Sequence, residues 1–61
     1  MTPPLTDREK VRRRYPGAYA YQWGRREWAI YDAYGLDISG LRSSQKAAWL
    51  FAALEIDRAN D

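Results

Sequence analysis

Three groups of side chains set the chemistry open to this sequence. Arginines cluster at Arg12-Arg13-Arg14 and again at Arg25-Arg26, with Tyr15 and Trp23 beside them. Cations interleaved with aromatic rings make the surface that neutralises phosphates and stacks bases. Asp32 and Asp37 flank Tyr34-Gly35, a position where Asp is common because its carboxylate binds nearby backbone N–H groups. Ser39, Ser43 and Ser44 read in the same way, as turn and cap residues. The sequence has no His and no Cys. That removes the standard triads, the thiolate nucleophile, the imidazole base and the ordinary structural zinc site. The expectation is a chain without catalytic residues, metal or cofactor, which acts by binding.

The elements that must position these residues follow from local pattern. Met1 to Leu5, with Pro3-Pro4, reads as an extended tail ahead of one small domain over residues 6–61. Thr6-Asp7-Arg8-Glu9 matches a capping box and opens a short helix, acidic in its first turn and basic in its last. Pro16-Gly17 ends it, because the residue before proline disfavours the α region. Tyr19, Tyr21 and Trp23 then alternate with the period of a strand, and a second strand follows over Glu27 to Ala33. A hairpin loop of even length puts Tyr19, Tyr21 and Trp23 on one face with Trp28 and Ile30. This face is the expected core side. Ala18, Ala20, Gln22, Ala29 and Tyr31 are expected on the open side, which makes Tyr31 a candidate for partner contact. Leu36 to Ser39 alternates over a third, short strand.

Ser43 is a candidate N-cap for a second helix running to about Ala59. At 100° per residue its apolar side chains form two stripes. Ala47, Leu50, Phe51 and Leu54 make one; Trp49, Ala52, Ala53 and Ile56 make the other, nearly opposite. One thin sheet needs only one stripe. The other must be covered by the first helix or offered to a partner, and Trp49 and Ile56 are the candidates on the partner-facing side. The expected fold class is α+β: a short helix, an antiparallel hairpin with room for a third strand, and a C-terminal helix packed on the sheet.

Composition bounds the rest. With 61 residues and no disulfide, the core rests on three Trp, five Tyr and one Phe, side chains that each bury roughly 150–250 Å². Residues 1–26 hold seven cations against two anions, whereas residues 27–61 hold three cations against six anions. Such asymmetry marks a nucleic-acid face or attraction between the two halves. The start carries charge at Asp7 to Lys10 and no apolar h-region, and the apolar run Ala47 to Leu54 is short of the roughly 20 residues that span a bilayer. A cytoplasmic location without membrane contact is expected.

Tyr15-Pro16 with Ala18, then Trp28-Ala29-Ile30-Tyr31-Asp32, then Ser43 with Ala48-Trp49 and Ala52, resembles a pattern found in short proteins of bacteriophages and prophages. The match covers about Val11 to Ala53. Small phage proteins of this kind include inhibitors of host defence, among them anti-CRISPR proteins. The resemblance implies a phage-derived binding protein in the bacterial cytoplasm that blocks a host protein complex, such as a CRISPR effector, by steric occupation. Tyr31, Trp49, Ile56, Arg12 and Arg13 are the expected contacts. A second reading is a small nucleic-acid-binding regulator using Arg12, Arg13, Arg14, Arg25 and Arg26. A third is a phage structural or assembly component that self-associates through the second helix.

Overall fold

A computed structural model describes residues 4–59. Residues 1–3 of the expected tail and the last two residues of the expected domain lie outside the described residues. Pro4 and Leu5 are exposed and lead into helix α1, Asp7–Arg14. The hydroxyl half of the capping box is in place, with the Thr6 Oγ1 accepting from the Glu9 N–H at 3.1 Å. The helix ends where the Tyr15 N–H donates to the Val11 carbonyl at 2.7 Å. Pro16-Gly17 then turns the chain, closed by a bond from the Ala18 N–H to the Tyr15 carbonyl. Gly17 has φ +88°, and a Cβ there would stand 3.0 Å from that of Ala33. Proline followed by a positive-φ glycine is the sequence a type II turn requires.

Strands β1, Tyr19–Gly24, and β2, Glu27–Tyr31, form an antiparallel hairpin across the Arg25-Arg26 turn. Tyr19 lies opposite Tyr31, Ala20 opposite Ile30, Tyr21 opposite Ala29 and Gln22 opposite Trp28; Gly24 then lies opposite Glu27. Trp23 has no partner and is the extra residue of a bulge. One inserted residue moves every side chain beyond it to the other face. The expected core side of β1 is therefore reversed. Ala18 and Ala20 face inward with Trp28 and Ile30, while Tyr19, Tyr21 and Trp23 are exposed.

The expected third strand is likewise modified. The chain after β2 folds back along its free edge, but only Asp37 and Arg42 form bridges, to Tyr31 and Trp28. Trp28 exchanges both backbone bonds with Arg42 at 2.8 and 2.7 Å, and the Ile38 N–H donates to the Ile30 carbonyl at 2.8 Å. Between these points the backbone departs from strand geometry, and the Ser39 hydroxyl stands in for a carbonyl, accepting from the buried Ile30 N–H at 2.9 Å. Asp32 holds the turn before it, its Oδ1 accepting from the N–H groups of Tyr34 and Leu36. The Asp37 carboxylate accepts from the Gly40 N–H. Both aspartates are thus engaged in local turns.

Helix α2, Gln45–Ala59, is capped by Ser44 in place of the expected Ser43: the Ser44 Oγ accepts from the Ala47 N–H at 3.1 Å, and its carbonyl takes the first helical bond, from Ala48. α2 touches α1, β1 and β2, and the other elements assemble around it. Its Ala48, Trp49, Ala52, Ala53 and Ile56 close the core with Val11, Ala18 and Ile30. Small residues on helix and strand let the backbones approach closely, which is how so short a chain excludes water from Ile30 and Val11. The two helices are also tied by an ion pair from Lys10 Nζ to Asp57 at 3.1 Å. The Trp49 indole N–H is buried with no partner among the described residues. No helix among them is long and apolar enough to cross a membrane.

Ser39→Ala tests the interrupted edge. It leaves the Ile30 N–H buried without an acceptor, and the expected loss of stability is about 1–3 kcal/mol, read from the shift in urea midpoint at unchanged slope.

Candidate functional site

The inverted register gathers four large rings on the side of the hairpin away from α2. Tyr19, Tyr21 and Trp23 are 45%, 48% and 59% exposed, and Tyr31 is half-buried among them. The rings pack against one another. Tyr19 and Tyr31 have centroids 5.9 Å apart, Tyr21 and Trp23 meet edge to face at 4.9 Å, and Trp23 meets Tyr31 at 6.5 Å. The Trp23 indole N–H donates to the Tyr31 hydroxyl at 2.8 Å. With Gly35 at the margin, the four rings line an open depression of about 260 Å³. Ala29, opposite Tyr21 in the register, is fully buried but is not part of the main core cluster. The result is a packed apolar surface with two polar handles already bonded to each other.

A second exposed apolar surface runs along α2. Leu50, Phe51 and Leu54 are exposed, and the Arg42 guanidinium lies 3.7 Å from the Phe51 ring centroid. The sequence reading of two stripes holds, and of the two covers it left open for the second stripe, α1 or a partner, the structure has α1. Trp49 and Ile56, expected to face a partner, are buried against α1 and the sheet. The reason is the alanine content of their stripe, which permits closer packing than Leu50, Phe51 and Leu54 would.

The expected arginine cluster is not brought together. Arg12, Arg13 and Arg14 lie at the end of α1, and Arg25 and Arg26 lie at the far end of β1. At about 3.3 Å per residue, the six residues of β1 place some 17 Å between its two ends. Several cations are also held by this chain's own groups. Arg14 stacks on Tyr15 at 4.9 Å, Arg8 lies 5.9 Å from the Trp49 ring, and Lys10 pairs with Asp57. Thr6, Arg8, Glu9, Arg12 and Arg13 border a larger concavity of about 600 Å³. Every one of its walls comes from α1 or its cap, so its shape follows exposed side chains and not the fold. Among the described residues, no group of three or more carboxylates is placed to hold a metal ion.

Of the expected contact residues, then, Tyr31 lies in the aromatic face and Arg12 and Arg13 are exposed on α1. Tyr19, Tyr21 and Trp23, assigned to the core from alternation, are the residues that complete the face. One signal would have found them: α2 is rich in alanine, and a close-packed alanine helix needs a small-residue strand face such as Ala18 and Ala20 opposite it. No protein-family model matches the chain, and neither a curated protein nor a solved structure matches it.

The two faces of the hairpin separate by mutation. Tyr21→Lys should cost about 1 kcal/mol or less, the range of a lost exposed aromatic pair. Ile30→Lys, which buries an unpaired charge, should abolish the cooperative thermal transition. Circular dichroism melts of the two variants check the inverted register directly.

Proposed function

We propose that this chain is a stoichiometric binding protein that occupies the surface of a protein partner with the aromatic face of its hairpin. The observation that carries the reading is the set Tyr19, Tyr21, Trp23 and Tyr31, exposed on one face and already packed together. Tyr and Trp dominate binding hot spots because they supply large contact area with few rotatable bonds. Rings that support one another in the free protein lose little further freedom on binding, which lowers the entropic cost of association. Nothing in this mode of action needs turnover. A blocker works by being present in proportion to its target, and the resemblance of the sequence to short phage proteins makes a host complex, a CRISPR effector among them, the class of target to examine.

One observation favours a second reading. Arg25 and Arg26 are exposed at the turn that follows Trp23, and rings beside cations suit single-stranded nucleic acid. The protein reading is preferred because the remaining cations are dispersed or internally engaged, and because edge-to-face packing leaves few ring faces open for bases.

The test uses the purified chain and its Tyr21→Ala/Trp23→Ala variant in a titration against the candidate complex. Inhibition by the wild type should saturate near one copy per binding site. Loss of two hot-spot rings should weaken binding by about 2 kcal/mol or more, roughly thirtyfold in Kd, with the melting transition retained. Catalytic amounts inactivating an excess of target would reject the blocker. Binding to a single-stranded oligonucleotide, with a log–log salt slope near −0.7 per phosphate, would put the second reading first.

A further inference from the structure

The outer edge of β1 presents backbone groups that nothing in the fold satisfies. Trp28 and Ile30 direct their N–H and C=O groups away from β1, to Arg42, Ile38 and Ser39. In an antiparallel ladder the residues opposite such positions also point outward. These are Gln22, opposite Trp28, and Ala20, opposite Ile30. Among the described residues, no group bonds the backbone N–H or C=O of either one.

Exposed edges are normally guarded by charge, proline or shortness. β1 is six residues long, Tyr19-Ala20-Tyr21-Gln22-Trp23-Gly24, and contains neither a charge nor a proline. Its one irregularity, the bulge at Trp23, lies next to the turn and leaves Tyr19 to Gln22 regular.

We propose that the edge is covered by β1 of a second copy, joined antiparallel about a twofold axis through Tyr21 to give a four-stranded sheet. The strand is complementary to itself in that register. Ala20 stands opposite the partner's Gln22, and Gln22 opposite the partner's Ala20, each pair exchanging the outward N–H and C=O groups. Tyr21 meets the partner's Tyr21 on the aromatic face, and Tyr19 comes beside the partner's Trp23, the kind of cross-strand aromatic contact that stabilises sheets. No like charges oppose each other along the strand, because it has none, and the Arg25-Arg26 turns of the two copies lie at opposite ends. Two aromatic faces become one continuous surface. The outward backbone groups of Ala20 and Gln22 carry the inference, and the ring contacts follow from the register. Amide exchange and the Gln22→Pro variant, which keep every ring, separate its outcome from that of the binding role of the rings.

The experiment is sedimentation equilibrium of the full chain from roughly 5 to 500 μM, the range of moderate association, paired with amide exchange by NMR. The expected result is a doubling of mass with concentration. Exchange of the Ala20 and Gln22 N–H groups should slow by at least about tenfold as the dimer forms, while those of Tyr19 and Tyr21, bonded within the hairpin, do not change. Gln22→Pro removes one outward N–H without touching the β1–β2 ladder and should yield a folded monomer. If that variant does not fold, Tyr21→Lys, which opposes like charges on the twofold axis, should be monomeric instead. Leu54→Glu should leave the dimer intact. A wild type that stays monomeric throughout overturns the proposal. So does a dimer that survives in a folded Gln22→Pro or Tyr21→Lys variant. A dimer lost in Leu54→Glu, with Ala20 and Gln22 exchanging fast in the wild type, assigns self-association to α2 and also overturns it.

Discussion

The bulge at Trp23 decides which side of the hairpin α2 covers, and most of the remaining structure follows from that choice. With regular pairing, the rings of β1 would lie under the helix with Trp28 and Ile30, and the helix would stand away from the sheet by the thickness of an aromatic layer. With Trp23 unpaired, Ala18 and Ala20 face the helix instead. Ala48, Ala52 and Ala53 then come close to the sheet, and Ile30 and Val11 are fully buried although the chain is short. Packing density, not bulk, makes this core. Dispersion contacts fall away steeply with separation, so a close fit of small side chains recovers contacts that a looser arrangement of large ones would lose.

β2 is the strand that depends on both of its edges. β1 satisfies one; the other is served by an irregular segment that supplies two bridges and a serine hydroxyl. A regular third strand over 36–39 would have needed continued alternation, but the Asp32 and Asp37 side chains draw the backbone into local turns at either end. This segment carries Arg42 onto Phe51, where the guanidinium covers part of a ring that the core does not use. The same economy holds for α1, whose cations rest on Tyr15, on Trp49 and against Asp57. Among the described residues, the basic first half and the acidic second half meet at one ion pair, Lys10 with Asp57.

How far the sequence was legible follows from the range of each signal. Caps and turns depend on neighbours within four residues, and Thr6 and Pro16-Gly17 were readable, with Ser44 displacing Ser43 by one position. The two stripes of α2 were readable because periodicity is a property of the helix itself. Their assignment was not, since it depends on what lies opposite. The faces of β1 failed for a related reason. Alternation shows that Tyr19, Tyr21 and Trp23 share a side, but the side is set by a one-residue insertion, and size ranks the rings above alanine when the neighbour's preference is ignored. The face of Tyr31 was legible because β2 has no bulge, so alternation from the buried Ile30 holds along it.

A core built from small residues leaves a surplus of large ones, and that surplus defines what the surface is able to do. The rings of β1 are packed on one another and on Tyr31 of β2 rather than on the core, so they contribute little to holding α1 and α2 in place. Selection on them is then nearly free of the stability constraint that governs Ala20 or Ile30. A face so decoupled is able to change its partner by substitution while the fold persists, whereas a site built into the core would carry each change into stability. The hairpin turn at Arg25-Arg26 adds adjustable charge at the rim of that face, where charges steer encounter more than they hold the complex. Division of labour between two sides of one strand, alanine inward and aromatic outward, is thus what lets a chain of this length keep a fold and present a binding surface at once.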